Sequence, residues 1–256
     1  THIKWEALLK RADQLGCEYI ATGHYAQVRE ENGRYVVSRG VDTWKDQSYV
    51  LWGLSQECLK RTIFPMGQFH KEDIKQMAID RGYEELAKKP ESYEICFIPD
   101  NDYRGFLKRR VEGLEEEVKG GNFVNTAGKV IGTHDGYPFY TIGQRKLGVS
   151  FGTDASYVVE IKPETNEVVV GNKEDLKKLE MYVKGLNLVK YDHIPDGTEA
   201  LTKVRYKHPG ELATLSNEGE DIKALFHSKV EGIAPGQSAV FYEGNDLLGG
   251  GFIVKE

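Results

Sequence analysis

The sequence has few of the features that mark membrane or secreted proteins. It contains no run of about 18 apolar residues, the length that a membrane-spanning helix needs, and no signal peptide precedes Thr1. Its three cysteines, Cys17, Cys58 and Cys96, lie far apart without a C-x-x-C pair. This spacing argues against a zinc site and against a disulfide scaffold. These absences predict a cytoplasmic protein without a bound metal in its fold.

The chain also lacks an excess of basic charge. Its 256 residues carry a formal net charge of −6, with 39% hydrophobic and 29% charged residues, a composition typical of a globular protein with one large domain or two to three small ones. Local basic clusters, however, decide phosphate binding. Such clusters occur at residues 108–110, at residues 145–146 and at Lys203, Arg205, Lys207 and His208. Each cluster alone is more often a solvated face than a phosphate-binding site.

The first third of the chain has the pattern of a nucleotide-binding α/β domain. Apolar residues recur at helical spacing from Trp5 to Leu15, and a short apolar strand follows at residues 19–21. Gly23 and His24 come directly after this strand, at the end where such sheets bind ligands. Gly23 allows a flat base to approach the backbone closely. His24 is either a ligand contact or an ordinary loop histidine.

A second polar segment is formed by Lys45, Asp46 and Gln47. It precedes a predicted helix whose apolar side includes residues 50, 51 and 54. Polar groups at the start of a helix are suited to holding a phosphate or a base edge. The same residues also serve as an ordinary helix cap, so both interpretations stay open.

Cys96 lies between Pro90 and Pro99, and both prolines resist continuing a helix. The segment is therefore predicted to be a loop or a short extended piece. Two preceding lysines favour the reactive thiolate, whereas two nearby glutamates oppose it. The residues leave two alternatives: a thiol that reaches a substrate, or a buried cysteine that packs beside its apolar neighbours.

The pattern changes after the acidic run at residues 115–117 and the glycine pair at 120–121. From residue 122 onward, short alternating strands are separated by glycine turns. The last third contains about six strands at regular spacing, a pattern that predicts a small β-barrel. The chain is thus expected to run from α/β, through a small mixed module, to all β.

Seven stretches, taken together, resemble the bacterial tRNA-specific 2-thiouridylases, enzymes that replace the oxygen at C2 of the wobble uridine with sulfur. The stretches are ATGHYA (21–26), KDQSY (45–49), FPMG (64–67), ICFI (95–98), TIGQRK (141–146), KVRY (203–206) and PGQSAVFY (235–242). Each is weak alone, but all seven occur in the order of the family and cover essentially the whole chain.

The resemblance implies an α/β plus β fold with three parts. Residues 1–104 are expected to be the C-terminal part of an adenine-nucleotide α-hydrolase-like domain of the N-type ATP pyrophosphatase kind, including the Cys96 loop. Residues 105–174 are expected to form a small central tRNA-binding domain. Residues 175–256 are expected to form a C-terminal β-barrel.

The resemblance also implies a chemistry. ATP, with Mg²⁺, adenylates the uridine oxygen, and a persulfide on Cys96 then supplies sulfur, while a second cysteine closes a disulfide with Cys96 or releases the sulfur. The implied partners are a sulfur-donor or relay protein and tRNAs with a wobble uridine, of the glutamate, glutamine and lysine types. Gly23 is expected to lie against ATP. The expected tRNA contacts are His24, Lys45, Asp46, Gln47, Arg205, Tyr206 and Gln237.

Two features of the family are missing from these 256 residues. They are the Ser-Gly-Gly-x-Asp-Ser loop that grips the ATP phosphates and the partner cysteine, both expected before Thr1. The sequence is therefore interpreted as a fragment that is inactive alone. The alternative hypothesis is a non-catalytic tRNA-binding module in which Cys96 is inert. A methyltransferase is disfavoured, because the sequence has no glycine-rich loop for its cofactor.

Overall fold

The computed structural model describes residues 2–89, 98, 100, 102–147 and 156–255. Cys96 lies outside these residues, so the predicted loop or extended segment around it stays a prediction. Within the described ranges, no helix combines the length and the apolar character that crossing a bilayer requires.

The first part of the chain consists of short helices around two small strand pairs. Its elements, after a π-helical turn at His2–Glu6, are α1 Ala7–Gln14, β1 Ile20–Ala21, β2 Ala26–Glu31, β3 Arg34–Arg39, α2 Gln56–Lys60, β4 Thr62–Ile63, α3 Lys71–Asp80 and α4 Glu84–Lys88. β1 and β4 pair in parallel, whereas β2 and β3 form an antiparallel hairpin. Asn32 and Gly33 turn this hairpin with φ of 51° and 77°, as a tight turn that matches the strand twist requires.

The middle of the chain combines two helices with a four-stranded sheet. Its elements are α5 Tyr103–Arg110, α6 Leu114–Val118, β5 Gly121–Asn125, β6 Val130–His134, β7 Tyr157–Lys162 and β8 Glu167–Gly171. The strand order is β6-β5-β8-β7. Asp102 caps α5, because its Oδ1 accepts a hydrogen bond from the Gly105 amide at 2.9 Å, and aspartate is one of the residues preferred at this position.

The last part is a closed six-stranded barrel. Its strands are β9 Lys177–Leu188, β10 Thr198–Lys203, β11 Glu211–Glu218, β12 Asp221–Glu231, β13 Ser238–Glu243 and β14 Asp246–Val254. They pair in the order β13-β10-β11-β12-β9-β14, and pairing of β13 with β14 closes the ring. Closure leaves no unpaired edge among these strands. The predicted barrel, and with it the α/β plus β fold class, is confirmed.

The described chain forms two compact units. One comprises residues 1–89, 179–229 and 234–256, and the other comprises 90–178 and 230–233. In the first unit, the N-terminal segment and the barrel share a single apolar core. Its buried members include Trp5, Ile20, Val37, Tyr49, Leu51, Leu59, Val189, Val240, Tyr242 and Leu247. The domain division at residues 104 and 174 stays a prediction.

A salt-bridge network also joins the β2–β3 hairpin to the barrel. β3 pairs with β14 at Ser38 and Asp246. Both oxygens of Asp246 accept from Arg29 at 2.9 Å, while Ser38 and Lys190 donate at 2.6 and 2.8 Å. Burial favours the neutral acid, but the bonds from Arg29, Lys190 and Ser38 outweigh it and hold the pKa of Asp246 well below its usual value.

The helix predicted around residues 50–54 is wrong. Only a 3₁₀ turn, Ser48–Leu51, forms there, and Val50 is 51% exposed instead of packing inward. The reason lies in the barrel: the Tyr49 hydroxyl donates to the Ser238 carbonyl at 2.7 Å, and the Trp52 indole donates to the Ser238 hydroxyl at 3.0 Å. These tertiary contacts, not helical periodicity, set the path of the segment.

Replacing Asp246 by alanine is expected to destabilise the protein by about 2 kcal/mol at pH 7, because it removes charge-assisted hydrogen bonds to Arg29 and Lys190. The stabilisation by Asp246 is complete above about pH 4, the pKa of an unfolded aspartate. It is lost as the pH falls through the lower pKa of the folded state. Urea unfolding of both proteins between pH 7 and pH 3 measures the effect.

The matched control is Glu31→Ala, which removes the other, exposed partner of Arg29. Exposed ion pairs contribute at most about 1 kcal/mol, so this variant is expected to stay near the wild type. An equal loss of stability in both variants would contradict the assignment of the network to Asp246.

Candidate nucleic-acid interface

The loop after β1 is fixed by packing around His24. The Nδ1 atom of His24 lies 2.9 Å from the Thr22 hydroxyl, and its ring lies 5.3 Å from the Trp5 ring and 6.1 Å from the Phe64 ring. Burial, and then the charge of Lys4, lower the pKa of His24. The imidazole is therefore neutral near pH 7, and it serves as a polar group rather than a cation.

Gly23, between these residues, faces open space. It is exposed, and a Cβ atom added there would meet no atom of the described residues within 4 Å. Its backbone is not in the left-handed region either. Since neither strain nor a neighbouring protein atom accounts for glycine at this position, the arrangement fits a flat ligand that approaches the backbone directly.

The segment with Lys45, Asp46 and Gln47 is anchored to this loop. The backbone N–H of Gln47 donates to the Tyr25 carbonyl at 2.8 Å, and the side-chain oxygen of Gln47 accepts from the backbone N–H of Tyr25 at 3.1 Å. Asp46, which is 9% exposed, accepts from the amides of Gly40 and Ser48 at 3.2 and 3.0 Å. Asp46 and Gln47 thus hold the segment in place through their own side chains.

Ser48 joins this segment to the barrel. Its hydroxyl donates to Asp46 at 3.0 Å and lies 3.0 Å from the hydroxyl of Tyr242 on β13. Tyr242 is 1% exposed, and burial raises the pKa of its phenol, so the hydroxyl keeps its proton. The Arg39 guanidinium stacks on the Tyr242 ring, with its carbon 4.3 Å from the ring centre.

Tyr49 brings the remaining predicted residues together. Its hydroxyl binds the carbonyl of Ser238, the residue after Gln237, and burial raises the pKa of Tyr49 to about 12. Its ring lies 6.0 Å from the ring of Tyr206. The ammonium of Lys203 lies over the same ring, also at 6.0 Å. Stretches that are about 150 to 190 residues apart in sequence thus meet around one side chain, as folding of a single core permits.

The resulting surface carries partly desolvated positive charge. Burial lowers the pKa of Lys203, and the charge of Arg39 lowers it further, while Asp46 opposes both. In Arg39, the Nε and Nη2 atoms are buried and have no hydrogen-bond partner within the described part of the chain. Cations that are removed from water and incompletely compensated attract anions, so this surface is suited to phosphate groups.

Three family profiles match consecutive parts of the chain. Residues 1–100 match the profile described as a tRNA methyl transferase HUP domain. Residues 104–172 match the tRNA methyl transferase PRC-barrel domain, and residues 178–253 match the aminomethyltransferase β-barrel domain. Together they account for nearly the whole chain.

Curated relatives are similar over the same length. Proteins described as tRNA-specific 2-thiouridylase MnmA are 57% identical in Cytophaga hutchinsonii, 59% in Amoebophilus asiaticus and 54% in Salinibacter ruber. The matches cover 99% of this chain and 69%, 68% and 67% of the respective relatives. The chain belongs to the tRNA-specific 2-thiouridylase family. This is a family of enzymes, tRNA-uridine 2-sulfurtransferases, and the resemblance found from the sequence is confirmed.

The thiouridylase site residues expected from the sequence differ in how they are placed in the structure. Asp46 and Gln47 make internal hydrogen bonds, and His24 is half-buried between aromatic rings. Arg205, Tyr206 and Gln237 are exposed, and Lys45 is half-buried. Cys96 lies outside the described residues. Contact of these residues with tRNA, and of Gly23 with ATP, stays a prediction.

Sequence reasoning missed the residues that join the two parts of this surface. Ser48, Tyr49 and Tyr242 belong to matching stretches of the thiouridylase family, but nothing in the sequence indicates that they contact one another. Arg39 gives no signal at all, because it reads as an ordinary charged residue at the end of a strand. Only the packing of the barrel against the N-terminal segment shows their role.

Asp46→Ala is expected to destabilise the protein by about 2–3 kcal/mol, because the buried amides of Gly40 and Ser48 lose their acceptor. Asp46→Asn keeps an acceptor oxygen and is expected to recover most of this loss. Thermal and urea unfolding of both variants measure the difference. If Asp46→Ala unfolded like the wild type while tRNA binding was lost, Asp46 would act by direct contact and its internal role would be refuted.

Proposed function

We propose that the intact protein carries out the ATP-dependent 2-thiolation of the wobble uridine in tRNA, and that this chain supplies its tRNA-binding surface and the cysteine that carries the sulfur. The observation that carries the proposal is the meeting of three separate stretches, residues 45–49, 203–206 and 237–242, around Tyr49. The relatives named as tRNA-specific 2-thiouridylases support it further. A surface that is assembled from the N-terminal segment and the barrel would hold tRNA in one orientation relative to Gly23.

Each predicted tRNA contact has a distinct role in the proposal. Lys45 and Arg205 bind backbone phosphates and position the tRNA, since such contacts carry no sequence information. Tyr206 and Gln237 contact bases of the unpaired anticodon loop by stacking and by hydrogen bonding. Asp46 and Gln47 hold the segment that carries Lys45 in place. They contact tRNA through the hydrogen-bonding capacity that their internal bonds leave unused. His24, as a neutral imidazole, offers a hydrogen bond beside the nucleotide.

ATP is proposed to bind with its base or ribose against Gly23, where the open space fits a flat ligand. When bound with Mg²⁺, it supplies the adenylate that turns the uridine oxygen into a good leaving group. The residues of this chain that hold it are those of the loop after β1, with Gly23 at the contact. The loop stays rigid through the bond between Thr22 and His24.

Cys96 is proposed to carry the sulfur as a persulfide. The outer sulfur attacks C2 of the activated uridine, and the C2–O bond breaks as AMP leaves. The thiolate of a second cysteine then attacks the Cys96 sulfur, which forms a disulfide and releases the 2-thiouridine; a thiol reductant restores both cysteines. A sulfur-donor or relay protein reloads Cys96. The substrates are tRNAs of the glutamate, glutamine and lysine types, in the cytoplasm.

Cys96→Ser in the intact protein is expected to reduce 2-thiouridine formation by at least about 1,000-fold, because a hydroxyl cannot carry sulfane sulfur. Mass spectrometry of nucleosides from digested tRNA measures the product. Cys17→Ser, which changes an exposed cysteine, is the control and should retain activity.

Retained thiolation by Cys96→Ser would refute the role of Cys96. Binding of tRNA by the wild type without any ATP-dependent product would favour the alternative, a non-catalytic tRNA-binding module. Methyl transfer from S-adenosylmethionine to tRNA would favour the activity named in the descriptions of two of the family profiles.

In the intact protein, Gly23→Val is expected to raise the KM for ATP by about 10-fold or more, because the added side chain fills the space proposed for the nucleotide. The folded state is expected to stay nearly as stable, because a Cβ atom at this position meets no protein atom among the described residues. Steady-state kinetics at saturating tRNA and thermal unfolding check the two parts. Gly33→Val is the contrasting variant: it is expected to destabilise the protein through its positive φ without changing the KM for ATP.

A further inference from the structure

Trp44 is the most exposed large apolar side chain of the described residues, with 94% of its surface accessible. Tryptophan is usually largely buried, because its indole removes a large apolar area from water. Trp5, by comparison, is 5% exposed. A fully hydrated indole on the surface therefore indicates a binding partner more strongly than an exposed leucine or valine does.

The backbone beneath Trp44 is held firmly. Asp42, itself 9% exposed, accepts hydrogen bonds from the amides of Trp44 and Lys45 at 3.1 and 3.2 Å. Its other oxygen accepts from the amide of Lys71, the first residue of α3, at 2.9 Å. Hydrogen bonds to backbone amides stabilise the ionised carboxylate, and they outweigh burial in holding the pKa of Asp42 below its usual value. The indole is thus presented from a fixed turn, which lowers the entropy lost on binding.

The surroundings of Trp44 favour a nucleic-acid base over a protein surface. Its chain neighbours are the polar Thr43 and the cationic Lys45, and the next residue of the same surface is the anchored Asp46. A protein interface has a contiguous apolar centre, whereas an unpaired base needs one aromatic face beside cations that bind its phosphate. Val41, at 46% exposure, is the one other apolar side chain of this short turn.

We propose that Trp44 is a stacking platform for an unpaired base of the RNA substrate. This inference rests on the proposed function, since it adds a base contact to the tRNA surface described above. The indole face stacks on one base of a single-stranded loop, while Lys45 binds the adjoining phosphate. Stacking accepts any base, so Trp44 contributes affinity and register, and it does not select the sequence.

The test compares binding of an unmodified tRNA transcript by the intact wild type, Trp44→Ala, Trp44→Leu and Trp44→Phe. Loss of one base–aromatic stack weakens binding by about 5- to 100-fold, and this loss is expected for the alanine and leucine variants. Phenylalanine keeps a planar ring and is expected to recover most of the affinity, whereas leucine keeps only the apolar surface. Tyr83→Ala, which removes another exposed aromatic side chain at 56% exposure, is the matched control and should bind as the wild type does.

A second readout does not depend on thiolation activity or on a difference in affinity between variants. Acrylamide quenches the fluorescence of exposed tryptophan side chains. The component of this quenching that is lost in Trp44→Phe therefore belongs to Trp44. Addition of tRNA is expected to protect this component, and addition of a fully base-paired RNA duplex is expected to leave it accessible, because paired bases offer no free face.

Each outcome decides between the hypotheses. If the wild type binds tRNA and Trp44→Ala binds equally well, the stacking platform is refuted and the proposed function stands. If the wild type binds no tRNA, both fall. If Trp44→Ala binds tRNA normally but no longer accepts sulfur from its donor protein, Trp44 belongs to a protein interface and the inference is refuted.

Discussion

The bridge that Ser48 makes between Asp46 and Tyr242 is the contact on which the candidate surface depends. The Ser48 hydroxyl is buried and bonded on both sides, at 3.0 Å to each partner. Because Asp46 in turn holds the amides of Gly40 and Ser48, the bridge fixes the turn from residue 40 to residue 48 against the barrel. A buried polar chain of this kind is stabilising only when every member is bonded, and here the packing of one part supplies the partners of the other.

The surface therefore separates two kinds of polar residue. One kind accepts hydrogen bonds from backbone amides through its side-chain oxygens and thereby holds the turn; it consists of Asp42, Asp46 and Gln47. Trp44 and Lys45, which lie between these anchors in sequence, are presented by that turn. The same alternation of anchors and presented groups explains how an acidic residue fits into a surface that is proposed to bind an anionic ligand. Asp46 accepts hydrogen bonds from backbone amides and compensates part of the charge of Lys203. The positive charge of Lys203 and Arg39 that is left uncompensated is suited to phosphates.

The fold was largely predictable from local patterns. The regular spacing of the last six strands depends on residues that are close in sequence, and the barrel that it predicts is confirmed. The β2–β3 turn at asparagine and glycine and the cap at Asp102 are local features of the same kind. The predicted helix after Asp46 is wrong, because Tyr49 and Trp52 bind Ser238 on the barrel and these bonds outweigh helical periodicity. A contact between residues about 190 apart in the chain has no local signature.

The sequence by itself determined the family, the barrel and the stretches that carry the candidate site, because side-chain type, turn chemistry and the order of short motifs are properties of the chain alone. Only the tertiary structure decided which of those residues hold the surface together and which are presented on it. Asp46 and Lys45 are equally polar neighbours in the sequence, yet one is enclosed by amides and the other is not. Burial and hydrogen-bond partners arise from packing between distant segments, and so they exist only once the chain has folded.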